Sequence, residues 1–133
     1  MILLSNPWGI GIGGFTIAEG LSHQGQGTWH AAHNMFLQVG VELGIVGLGV
    51  FVLLLTHTLR ELRRLQLRPV ASGPQGRLQE DLALVAAALE ASLWGYLAGG
   101  LFLSQAYSGL LYVLIALSAV CTRIARTVSP TPS

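Results

Sequence analysis

Residues 35–59 carry a single formally charged side chain, Glu42, in 25 positions. A helix crosses the ~30 Å hydrocarbon core of a bilayer with about 20 apolar residues. The stretch therefore predicts a transmembrane helix and leaves little room for a water-soluble fold. Its two ends differ. Toward Leu59 it is mostly Val, Leu and Phe. At its start stand His30, His33 and Asn34, and Gln38 and Glu42 continue the four-residue spacing of His30 and Asn34. Side chains at that spacing share a helix face. Polar groups within a bilayer are costly and mark either a site or a buried contact, so this end is the candidate functional site.

The rest of the chain agrees with a membrane protein. Charged residues make up 10% of the 133 positions and mean hydropathy is +0.61, against about 25% charged residues in a soluble domain. A net charge of +1 gives no large basic surface for nucleic acid. The lone Cys121 excludes an internal disulfide. MILLSNPWGIG has no basic leader region and does not read as a signal peptide.

The pattern predicts an all-α membrane protein: a glycine-rich outer segment followed by three transmembrane helices. Residues 1–34 form that segment, with Pro7 among glycines forcing a turn and a short interfacial helix at residues 15–21. Spans follow at 35–59, 82–103 and 109–122. A polar connection at 60–81, a tight turn at 104–108 and a tail at 123–133 complete the chain. Gly40/Gly44 and Gly95/Gly99 are small-residue pairs that let a second helix approach closely. All seven cationic residues are arginines, five between the first two spans and two after the third, with none before Arg60. By the positive-inside rule both arginine regions face the cytoplasm, and the His/Asn cluster faces outward.

The string HAAHNMFLQVGVELGIVGLGVF resembles the signature of the bacterial O-antigen ligase and polymerase family. The matching positions are His33, Asn34, Phe36, Leu37, Gln38, Glu42, Gly44 and Gly47. NPWGIGIGGF is similar to the family's glycine-rich segment, and the two close C-terminal spans around GLFLSQAYSGLLY are also similar. The resemblance covers about residues 5 to 122. It implies an inner-membrane glycosyltransferase of the GT-C type that takes glycan from an undecaprenyl-diphosphate carrier and delivers it to a glycan or lipid acceptor at the periplasmic face. It implies no cofactor and no metal. The family's outer-loop histidine corresponds to His33, which would assist the attacking acceptor hydroxyl; imidazole suits this because it accepts a proton near neutral pH. The chain departs from the family in lacking outward-facing arginines to hold the diphosphate. The expectation is a C-terminal portion that works with the remaining transmembrane helices of a longer enzyme and is inactive alone.

Each residue also has a plainer reading. His33 can bond only backbone or water, and His30 can be a loop residue or a partner to His33. Asn34 can cap the helix or orient an acceptor. Gln38 and Glu42 can bond neighbouring helices or substrate. Glu90 is an interfacial residue or a buried partner, depending on where its span begins. The arginine cluster is a topology determinant with a second role toward anionic headgroups. His23, His30 and His33 lack the spacing of a zinc site. The competing functional class is a small non-enzymatic membrane subunit that packs against a partner through its glycine surfaces.

Overall fold

A computed structural model describes residues 7–14, 34–70, 73–103 and 106–128. They form three helices, α1 (Met35–Gln66), α2 (Pro74–Gly100) and α3 (Gly109–Val128). Each is long and apolar enough to cross a membrane. The described structure is all-helical, and it supports a multi-pass membrane protein. Its outward faces are apolar: Val50, Leu53, Leu84, Leu110 and Val113 are exposed, while Glu42, Thr58 and Ser118 are buried. In water such a surface would drive association; in lipid it is the ordinary arrangement. Hydroxyls turn back onto their own helices, as Ser92 Oγ does to the Ala88 carbonyl at 2.8 Å and Ser118 Oγ to the Leu114 carbonyl at 2.7 Å.

Two compact units divide the chain, one from Met1–Leu54 and Leu97–Ser108, the other from Leu55–Tyr96 and Gly109–Ser133. In the first, α1 does not run straight. Gly44 has φ 71° and ψ −173°, which breaks the helix into a short arm at residues 35–43 and a long arm from residue 45. The arms fold toward each other. Phe36 and Phe51 meet edge to face with ring centroids 6.0 Å apart, whereas residues that far apart in a straight helix would be separated by about 22 Å. Met35 is fully buried and packs on Gly100 at the end of α2, where a Cβ would lie 3.0 Å from its Cε.

In the second unit the helices are joined by polar groups around the arginines. Glu61 accepts from Arg64 at 2.9 Å and from Arg126. Glu90 accepts from Gln66 and pairs with Arg63 at 3.5 Å. Arg68 donates to the Ala125 carbonyl at 3.3 Å. The Glu90 partners sit beyond Leu59, so Glu90 lies level with the basic end of α1 and is tied to it. The buried stripe of α3 is Leu111, Ser118, Cys121 and Ala125. Its small members permit close helix approach. Leu62, Ala86 and Leu93 are fully buried. α1 ends at Gln66, ahead of Pro69, and α2 starts on Pro74, whose fixed φ and missing amide suit a first helical turn.

Candidate functional site

The candidate site is built on the short arm of α1. Asn34 starts it. Its Oδ1 accepts from the amides of Phe36 at 2.9 Å and Leu37 at 3.2 Å. Its own carbonyl receives the Gln38 amide at 3.0 Å. Two of the amides that a helix start leaves unpaired are thus satisfied by one side chain. Of the two plain alternatives for Asn34, capping is the role its side chain fills.

Gln38 and Glu42 follow at one-turn spacing. Met35, Val39 and Glu42 are turned inward, and Glu42 is only 3% exposed. Gln38 Oε1 and Glu42 Oε2 are both buried and have no hydrogen-bond partner among the described residues. Leaving such a group unpaired costs about 1–3 kcal/mol. Two such oxygens, one helical turn apart in sequence, call for a donor. His30 and His33 lie outside the described residues, as do the polar loop after Leu21 and the interfacial helix expected at residues 15–21. Among the described residues no group of three His, Cys, Asp or Glu side chains is placed to hold a metal ion.

The arm ends where the glycine-rich turn meets it. The amides of Ile10 and Gly11 donate to the carbonyls of Val41 and Glu42, each at 3.0 Å, and the Pro7 carbonyl accepts the Ile45 amide at 3.1 Å. The turn thereby satisfies both the carbonyl end of the short arm and the amide start of the long arm. Such groups must be paired inside a protein when no water reaches them. The approach is possible because two glycines face each other. A Cβ on Gly44 would sit 2.6 Å from the Trp8 carbonyl carbon and 2.8 Å from the Gly9 nitrogen; one on Gly9 would sit 2.7 Å from the Gly44 nitrogen. Both have φ in the left-handed region, +71° and +88°, where a side chain is strained.

This corrects one expectation. Gly44 is not half of a small-residue surface for another helix, because the backbone of residues 7–9 occupies its open side. The pairing of Gly9 with Gly44 is what sequence reasoning missed. The available signal was glycine in both segments, with proline beside the first.

No family model, curated protein or solved structure matches this chain.

Proposed function

We propose that this chain is the C-terminal part of a membrane glycosyltransferase of the O-antigen ligase type, which transfers or polymerises glycan from an undecaprenyl-diphosphate carrier at the periplasmic face of the bacterial inner membrane. One observation carries the reading. Two segments that carry the resemblance, residues 7–11 and residues 41–45, are hydrogen-bonded to each other. The short arm they hold begins at Asn34, directly after His33. In this reading His33 takes the proton from the acceptor hydroxyl as that oxygen attacks the anomeric carbon, and the carrier diphosphate departs. Asn34 fixes where the helical arm starts. Gln38 and Glu42 offer their unpartnered oxygens to a donor, whether a sugar hydroxyl or a ring N–H of His30 or His33. The diphosphate needs cationic donors that residues 1–59 do not contain; these come from the remaining helices of the enzyme.

The rival reading, a non-enzymatic packing subunit, has one observation in its favour. Gly95 and Gly99 each face open space, which leaves room for a partner helix. Gly44 speaks the other way, since its free side is already filled.

The test is glycan transfer by the full-length enzyme carrying His33→Ala. General-base assistance contributes about 10²–10⁴-fold, so transfer should fall by that order with membrane abundance unchanged. Near-normal transfer by the variant would remove the catalytic assignment.

A further inference from the structure

We propose that the basic end of α1 and the facing part of α2 form a binding site for one anionic phospholipid, with its phosphodiester on the guanidiniums and an acyl chain along Leu59 and Trp94. An open groove of about 350 Å³ lies there, with Leu59, Arg60, Arg63, Arg64, Glu90 and Trp94 in its lining. Three features define the occupant.

The first is charge. Arg60 has no ion-pair partner among the described residues. The Arg63 and Arg64 side chains are each 72% exposed despite their pairs with Glu90 and Glu61. Arg126 is the second cation on Glu61. Three guanidiniums and one carboxylate line the groove, leaving net positive charge for an anion. Glu90 does not oppose a phosphate at the groove, because Gln66 and Arg63 already engage its carboxylate.

The second feature is the apolar wall. Leu59 lines the groove and is partly exposed, and Trp94 is 56% exposed. A free phosphate would gain nothing from them, whereas an acyl chain and its glycerol would cover both.

The third is position. The groove spans Leu59 and Arg60, where the apolar run of α1 ends, and lipid phosphates lie at that depth. Indole rings favour the same layer, and basic pockets between helices at this level hold lipid headgroups. The site is independent of the proposed transfer reaction and its residues.

Trp94 provides the readout. The full chain carrying Trp8→Phe and Trp29→Phe keeps Trp94 as its single tryptophan. It is placed in nanodiscs of phosphatidylcholine with a small fraction of brominated phosphatidylglycerol or brominated phosphatidylcholine. Phosphatidylglycerol should quench Trp94 at several-fold lower mole fraction. Arg60→Gln should weaken that preference about fivefold, corresponding to the roughly 1 kcal/mol one arginine contributes against an anionic leaflet. Arg77→Gln, outside the groove, should leave it unchanged. Equal quenching by the two lipids overturns the proposal. So does equal weakening by Arg60→Gln and Arg77→Gln, which would mean a diffuse surface field. Full competition by soluble glycerol phosphate also overturns it, since the headgroup alone would then suffice.

Discussion

Replacing Gly44 by alanine tests the joint that holds the candidate site together. At φ 71° and ψ −173° the backbone is in a region reserved for glycine, where a side chain costs about 1–3 kcal/mol. The new Cβ would also press on main-chain atoms of Trp8 and Gly9 at 2.6 and 2.8 Å. Main chain cannot rotate away as a side-chain tip can. The cheaper escape is release of the turn, which sacrifices the three hydrogen bonds from Ile10, Gly11 and Ile45, at about 1 kcal/mol each. Alanine returns up to about 1 kcal/mol if residue 44 then becomes helical. The net loss is about 2–3 kcal/mol. Hydrogen–deuterium exchange by mass spectrometry on the protein in nanodiscs reads this directly. Protection of peptides covering residues 7–14 and 41–46 should fall by about thirtyfold or more. Gly9→Ala should match it. Gly11→Ala has a positive φ of 90° but meets nothing within 4 Å and should fall between. Gly49→Ala enters open space with helical backbone and should be silent. If Gly44→Ala keeps full protection of the Ile10 and Gly11 amides, the interlock is not what holds the turn.

Asn34→Ala removes the acceptor for two amides and should destabilise the short arm by about 1 kcal/mol, visible as faster exchange at Phe36 and Leu37 with little change beyond the break. Glu61 lies past the apolar run, and hydrogen bonding from Arg126, then Arg64, holds its carboxyl below the usual carboxylate value despite some burial. A depressed carboxylate stabilises above its unfolded pKa, and that stability is lost as pH falls through the folded value. Both partner arginines are exposed, so the contribution is about 0.2–1 kcal/mol per pair. Thermal melts of Glu61→Gln should therefore lose less on acidification than wild type, and parallel pH curves would refute the role. Finally, single cysteines at positions 33 and 107 should react with an impermeant maleimide from the periplasm while one at 64 does not; the reverse pattern would invert the proposed topology.

The sequence announced the helices because a membrane span needs length and apolarity, and both are local. The start at Asn34 was equally readable, since capping acts over one turn. The polar ladder was half legible. Four-residue spacing placed Gln38 and Glu42 on one face, but nothing local told that their oxygens would be buried without a partner. The break was invisible for a different reason. Glycine at 44 suits a thin helix face and a left-handed kink alike, and the group that decides between them is the backbone of residues 7–9. Main-chain contacts leave no side-chain pattern to read. Glu90 posed the same difficulty: only the arrival of Gln66 and Arg63 showed what it pairs with.

The facing glycines have a genetic consequence. In a packed core, an enlarged residue can be rescued by shrinking its neighbour. At positions 9 and 44 there is no neighbour to shrink, because each is already glycine and each added methyl would strike main chain. A lesion at either position therefore has no suppressor at the other. Recovery must come from true reversion or from changes that let the helix close without the turn, and those would sacrifice whatever the turn was holding in place.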